Sequence, residues 1–312
     1  MARRRNIVVF APVLHLTITT ELGRGSDEIH IHPGGQGFWI ARMLRQLGER
    51  PLLVGPAGGE IGRVLKALIP AYGIDFRLVG TEACSPAYVY DRRGGDRVVA
   101  AETAMPILSR HEIDEVYGTI LEHAMRWTTC VITGQTGGIF PGAFYRRLGA
   151  DLDQSATAVV GDLHGTDLDS FLAGGSIDIL KISDEELEED GLLPVGSQSD
   201  AVAAALALHA RGARSVVISR GSRPAIAHMG GRLLEAVPPA LDPADFRGAG
   251  DSMTAGFAAA LARGLDGEGI LRLGCAAGAA NVTRHGLGSG STRLIEALVD
   301  RIEIRSIAPV AA

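Results

Sequence analysis

The stretch "FRGAGDSMTAGFAAALARG", residues 246–264, sets three small residues, Gly248, Ala249 and Gly250, directly before an acid, Asp251, and an alanine-rich amphipathic run. The start of a helix carries unpaired backbone N–H groups and the positive end of the helix dipole, so such a turn can cradle an anion. A carboxylate beside that cradle can take a proton from a hydroxyl while the amides meet charge developing on a transferring group. Moving a phosphoryl group onto an alcohol needs those two things together with alignment. The same residues also fit a plain helix start, since Asp is a common cap.

Three further stretches carry candidate residues: "HPGGQGFWIARMLRQLG" (32–48), "DILKISDEELEE" (178–189) and "VVISRGSRPAIAHMGG" (216–231). Ser183 and Glu186 have the spacing of a capping box, which explains both without a metal. Trp39 offers a face for stacking, or packs in the core beside Ile40 and Met43 on one helix stripe. His30 and His32 share one face of a period-two strand, and two ligands without a third read as a polar strand face.

The elements that position these residues alternate. Apolar, β-branched runs at "NIVVF", "PLLVG", "TCVITG", "TAVVGD", "DILKIS" and "SVVISRG" are separated by helical patterns such as "GFWIARMLRQLG" and "DAVAAALALHARG". That order predicts an α/β fold, a doubly wound, mainly parallel sheet with helices on both faces. "LTITTELGRGSDEIHIH" and "AYVYDRRGGDRVVAAE" break the pattern, with period-two alternation around glycine turns at Gly23/Gly25 and Gly94-Gly95, and predict hairpins of a small β lid. The expected division is a core of residues 1–13, 33–83 and 107–312 and a lid of 14–32 and 84–106. The tail "IAPVAA" reads as frayed.

A chain of 312 residues, 46% hydrophobic, can bury one large core. A formal charge of −6 with scattered Lys and Arg gives no nucleic-acid footprint. Cys84, Cys130 and Cys275 lack zinc spacing and read as reduced structural thiols of a cytoplasmic protein. The basic start "ARRRNIVVFAPVLHLTI" is interrupted by Pro12 and His15, so Ile7–Phe10 reads as a first core strand rather than a signal segment, and no run is long enough for a membrane span.

Taken in order, these motifs resemble the ribokinase-like (PfkB) carbohydrate kinases from end to end, above all the 1-phosphofructokinase and tagatose-6-phosphate kinase branch, with "GAGDSMTAG" as the specific part. The resemblance implies an ATP-dependent phosphotransferase acting on a sugar or sugar-like acceptor, with Asp251 as base and Gly248, Ala249 and Gly250 as the anion cradle. It implies nucleotide-side contacts at Lys181, Ser183, Glu186, Ser219, Gly221 and Asn281, with Arg220 or Arg223 adding charge, and places Mg2+ near Glu186 through water. Acceptor contacts fall on His15, Gly34, Gly35, Gln36 and Trp39. The small residues of "CAAGAANVTRHG" (275–286) fall at the adenine pocket, although close helix packing needs them equally.

The departures lie on the acceptor side. Where the branch reads Asn-Pro-x-x-Asp this chain reads "APVLH", with Ala11 and His15; where it reads Pro-Gly-Gly-Lys-Gly-x-Asn this chain has "PGGQGFW", with Gln36 and Trp39. A lid Arg of the branch aligns with Ser85. Either the acceptor is neutral, or lid arginines 24, 92, 93 and 97 restore a clamp for a phosphate. A retired kinase serving as a ligand-binding regulator is a further reading. A nucleotide-dependent oxidoreductase comes last, because no Gly-x-Gly-x-x-Gly follows the first strand. The open edge of a β lid also suits a homodimer.

Overall fold

The computed structural model describes residues 6–134, 138–191 and 198–308. The first five residues and the last four of the tail lie outside it. Its strands are β1 (Asn6–Phe10), β2 (His15–Leu22), β3 (Asp27–Gly34), β4 (Arg50–Gly58), β5 (Asp75–Thr81), β6 (Ala87–Asp91), β7 (Val98–Glu102), β8 (Thr129–Thr133), β9 (Ala158–Asp162), β10 (Ile179–Ser183), β11 (Val216–Arg220), β12 (Arg223–Met229), β13 (Arg232–Val237) and β14 (Glu303–Ser306). Its helices are α1 (Gln36–Gln46), α2 (Gly59–Leu68), α3 (Arg110–Ala124), α4 (Gly142–Asp153), α5 (Gly165–Leu172), α6 (Asp184–Glu189), α7 (Gln198–Ala210), α8 (Ala249–Arg263), α9 (Gly267–Val282) and α10 (Thr292–Val299).

The six apolar runs form β1, β4, β8, β9, β10 and β11, neighbours in a ten-stranded sheet of order β14-β13-β12-β11-β10-β9-β8-β1-β4-β5. From β11 to β5 the strands are parallel, and β12, β13 and β14 extend one side antiparallel. Strands covered on both faces need apolar residues at every position. In β1, Ile7 and Val9 join the cluster under α1, α8 and α9, while Val8 and Phe10 join the one under α3 and α4. Each such side chain contributes about 1.5–3 kcal/mol on burial.

The chain leaves β1 for β4 and β5 on one side and returns to β8 on the other. In open α/β sheets the crevice outside the strand ends at such a reversal is where ligands bind. Thr133 at the end of β8 donates its hydroxyl to Phe10 O at 2.9 Å, tying the two strand ends together there.

The two predicted hairpins form a second sheet, β3-β2-β6-β7, joined by the parallel pair β2 and β6. Gly35 leads from β3 into α1 at φ +114°, with its Cα so close to the β1–β2 link that a Cβ would sit 2.2 Å from Val13 O. Only glycine fits there. Of the cysteines, Cys130 and Cys275 are buried, whereas Cys84 is exposed on the link before β6 and is not a core group.

Candidate active site

Helix α8 begins at Gly248, a left-handed residue at φ +74°, and Asp251 stands in its first turn. Ala249 N donates to Phe246 O of the preceding loop at 3.4 Å, and Ser252 N closes the first helical bond to Gly248 O at 3.0 Å. Asp251 borders a cavity of about 520 Å³ that also takes in Pro12, Thr133 and Gly134 from the β1 and β8 ends. Ala249 and Met253 border another of about 400 Å³. One helix start thus separates two cavities.

Behind Asp251 lies a buried ionic cluster. Lys181 Nζ stands 3.2 Å from Asp162 Oδ1 and 3.7 Å from Glu186 Oε2. The Thr254 hydroxyl, one turn along α8, donates to Asp162 Oδ2 at 2.7 Å. Glu186 Oε2 accepts from Ser183 N at 2.7 Å and Ser183 Oγ at 2.9 Å, while Glu186 N donates to Ser183 Oγ at 3.1 Å, so the capping box is complete. All of these Glu186 side-chain contacts fall on Oε2.

Three carboxylates around one ammonium cannot all ionise without cost in a desolvated site. Burial, reinforced by Asp162 and Glu186 and opposed by Lys181, pushes the Asp251 carboxyl up to about 7. Burial likewise raises Asp162. Burial pulls Lys181 down, but Asp162, Glu186 and Asp251 outweigh it and hold the ammonium above its ordinary value. Burial opposes the ionisation of Glu186 too, yet Lys181 and the Ser183 bonds keep that carboxyl below its usual range.

The first cavity is roofed by the small sheet. His15, Thr17, His32, Tyr88 and Tyr90 face it from above, and Gln36 and Trp39 of α1 from the side. His15 meets Tyr88 edge-on at 4.8 Å, and burial, with His32 and Arg97 adding, lowers its pKa to about 4. The imidazole is therefore neutral near pH 7. Trp39 does both jobs left open by the sequence: it is 6% exposed within the core and still borders the cavity, edge-on to His32 at 5.4 Å.

A further cavity of about 380 Å³ shares Thr17, His32, Trp39, Arg97, Arg247 and Leu287 with the first. Four arginines reach it, 42, 92, 97 and 247. Arg92 pairs with Glu21 at 3.2 Å and Arg247 with Asp245. Arg42 and Arg97 make no ion pair with a carboxylate among the described residues; Arg97 lies 3.4 Å over the Tyr90 ring, and Arg42 donates to Leu287 O at 2.8 Å. Partial desolvation, together with Arg247 and Arg92, holds the Arg97 guanidinium below its ordinary value.

Most of the residues expected at a site come together around these cavities. His15, Gly35, Gln36, Trp39 and Asp251 border the first, and Ser219, Gly221, Arg220 and Arg223 the one beyond Ala249. Lys181, Ser183 and Glu186 sit behind the α8 turn, where a Cβ on Gly250 would lie 2.9 Å from Lys181 Nζ.

Two expected contacts are elsewhere. Gly34 lies beneath His15, where a Cβ would come within 2.2 Å of Nε2, so its smallness serves the packing of that ring. Asn281 is 1% exposed and turned inward, donating to Arg247 O at 2.7 Å and accepting from Ser289 N at 3.2 Å. Ser85 is buried with its Oγ accepting from Gly58 N. Of the lid arginines, Arg93 is exposed and paired with Asp91 and Asp27, and Arg24 borders none of these cavities. Sequence reasoning missed Asp162, Thr254, Arg42 and Arg247. Asp162 had a usable signal, an acid at the carboxyl end of a parallel strand.

Residues 166–293 match the pfkB family carbohydrate kinase model. The chain is 29% identical over 292 residues to the ATP-dependent 6-phosphofructokinase isozyme 2 of Mycobacterium tuberculosis (strain ATCC 25618 / H37Rv), covering 88% of this chain and 83% of that one. It is 24% identical over 322 residues to the 1-phosphofructokinase of Vibrio cholerae serotype O1, covering 99% of each. The phosphofructokinase-2 of Escherichia coli in complex with fructose-6-phosphate superposes with a TM-score of 0.81 at 23% identity, over 96% of this chain and 99% of that one. The Arabidopsis thaliana ribokinase complexed with ribose and ATP gives 0.73 at 20% identity, over 95% and 98%. At such identities these structures speak for the fold alone.

The fold is the ribokinase-like one. The matched segment and the relatives resemble PfkB-type sugar kinases and support a phosphotransferase with an alcohol group as acceptor, for which ATP is the implied phosphate donor. None of these relatives supports the oxidoreductase reading. Among the described residues no helix is long and apolar enough to cross a membrane.

Proposed function

We propose that this kinase phosphorylates a hydroxyl of a sugar-like acceptor that carries an anionic group, with Asp251 as the general base. The observation that carries the reading is the α8 start, with Asp251 in the first cavity and Ala249 in the cavity beyond. The acceptor hydroxyl gives its proton to the Asp251 carboxylate as its oxygen bonds to the γ-phosphorus and the bond to the departing ADP oxygen breaks. A base titrating near 7 suits that transfer at neutral pH. Charge on the phosphoryl group meets the amides of Gly248 and Gly250 and the Lys181 ammonium.

The donor set suits magnesium: carboxylate oxygens are hard ligands, and the bonds of Glu186 leave Oε1 toward a hydrated ion. Among the described residues no three His, Cys, Asp or Glu side chains could hold a metal by themselves, which fits an ion bound mainly by water and phosphate oxygens. Glu186 would hold it through water, and when bound it would neutralise charge on the phosphates.

The anionic acceptor is supported by Arg97 and Arg42, two cations without a carboxylate partner among the described residues, at a cavity joined to the one that Asp251 borders. Gln36 and Ser85 supply no positive charge, so these arginines take over the clamp. The test is ADP release with Mg-ATP and paired acceptors, each sugar beside its phosphate ester, for wild type and Arg97→Ala. The phosphate esters should be preferred, and Arg97→Ala should raise their KM roughly 10- to 100-fold with kcat nearly unchanged, the effect of losing one charge-assisted hydrogen bond. Preference for the neutral sugars sinks the anionic acceptor and leaves the kinase. Silence across the panel with ATP still bound favours the ligand-binding regulator.

A further inference from the structure

The cavity beyond Ala249, which the proposed function assigns to the nucleotide, gathers its charged and hydroxyl side chains at one end: Ser219, Arg220, Ser222 and Arg223, from the close of β11 and the turn into β12. After a register shift between Ile218 and Arg220, the strand pairing sets Arg220 directly across from Arg223. Like charges in facing positions of an antiparallel pair destabilise it. A shift of register beside a site is also a device that re-aims a side chain.

The two arginines are not compensated alike. Arg223 pairs with Asp184 of α6, whereas Arg220 makes no ion pair with a carboxylate among the described residues, and Glu235, which lies within its electrostatic reach, is engaged by Gln198 and Arg305. Arg220 is nevertheless only 6% exposed, and its Nε is buried with no hydrogen-bond partner. Desolvation and Arg223 hold its guanidinium below the ordinary value, opposed by Asp184 and Glu235. A cation withdrawn from water without a counter-anion is costly, and an arriving anion offsets that cost.

We infer that Arg220 is the counter-ion of the nucleotide's diphosphate, the part that stays on ADP when the γ-phosphoryl leaves. The inference rests on the nucleotide reading of this cavity. With the γ-phosphoryl at the α8 start beside Asp251, the next phosphates enter the cavity beyond Ala249, and of its two guanidiniums Arg220 is the one without a carboxylate partner among the described residues. As the bond between the γ-phosphorus and the bridging oxygen breaks, its electron pair remains on the ADP oxygen, and the charge that grows on the diphosphate is what a preplaced guanidinium stabilises. A planar fork also meets two phosphate oxygens at once.

Calorimetric titration of the full chain with Mg-ADP, which needs no knowledge of the acceptor, tests this in wild type and in Arg220→Met, a change that keeps an apolar stem and removes the charge. The variant should bind ADP about 10- to 100-fold more weakly and with a flatter dependence on salt concentration. Without nucleotide it should melt higher than wild type, since the uncompensated cation is gone. Arg220→Lys, which keeps a point charge and loses the fork, should fall between the two in affinity and retain the salt dependence. A loss of less than about tenfold in Arg220→Met overturns the inference while leaving the nucleotide site in place. Weaker binding with an unchanged salt dependence would mean that Arg220 shapes the pocket without meeting the phosphates, and overturns it too. A wild-type chain that does not bind ADP removes the nucleotide reading itself, and this inference with it.

Discussion

At the scale of single residues, catalysis and stability pull on Asp251 in opposite directions. Its carboxyl is raised from 3.8 to about 7, chiefly by burial, so the active ionised form dominates only above that value. kcat/KM should rise about tenfold per pH unit below 7 and level off above it. Asp251→Asn should lower kcat by about 10²–10⁴ and leave ATP affinity within a few fold, since the cradle is kept. The stability sign follows from the raised folded pKa. Protonation favours the fold, a contribution fully present below the unfolded value and lost as pH climbs through 7. The Asn variant should therefore melt higher than wild type at pH 8, with an advantage that shrinks toward pH 4. Equal melting temperatures at pH 8, or an unchanged rate, would remove Asp251 from the role of buried base.

At the scale of elements, the site depends on how closely α8 lies on α9. A Cβ on Gly274 would come within 2.0 Å of the Phe257 ring, and one on Gly278 within 2.6 Å of Met253 Cγ. The ring is buried and cannot yield, whereas a methionine chain can move. Gly274→Ala should thus destabilise by about 1–3 kcal/mol despite the better helix propensity of alanine. Gly278→Ala should cost less, and urea unfolding with an unchanged m value would separate the two. The small residues of 275–286 were legible in the sequence but their two uses were not: Ala276 and Ala277 are fully buried core, while Cys275 and Ala279 border a cavity. The parallel strands were legible because burial on both faces leaves continuous apolar runs, and the two hairpins because glycine turns interrupt alternating residues. Arg42, Arg92, Arg97 and Arg247 come from separated segments and meet only when the small sheet closes over α1 and the link before α8. Nothing local in the sequence announces such a convergence. Asn281 was misplaced for a related reason, since a polar residue on a helix does not declare which neighbour it will satisfy.

At the scale of the whole molecule, the small sheet has two unlike faces. Thr17, His32, Tyr88 and Tyr90 look down on the first cavity. On the other face the register aligns Ile18 with Ile31 and Val89, Thr20 with Ile29, and Asp91 with Val98. Ile29, Ile31 and Val98 are 65%, 52% and 59% exposed. β3 and β7 are moreover open edges of this sheet, and an apolar face between open edges is a surface that water disfavours and that pairing covers. We propose that a second copy of this chain covers it, giving a homodimer through the small sheets. The same patch on both partners is self-complementary under a two-fold axis. Light scattering on a sizing column should give twice the 32.7 kDa chain mass at micromolar concentration. Ile31→Lys, which places a charge in the middle of the edge strand β3 on that face, should shift that mass to one chain. Because the same strands roof the acceptor cavity, the monomeric variant should also lose acceptor affinity while ATP binding, on the far side of α8, stays unchanged. A wild-type protein that elutes as a single chain at about 100 μM would sink the dimer, and an Ile31→Lys protein that remains dimeric would move the interface to another surface.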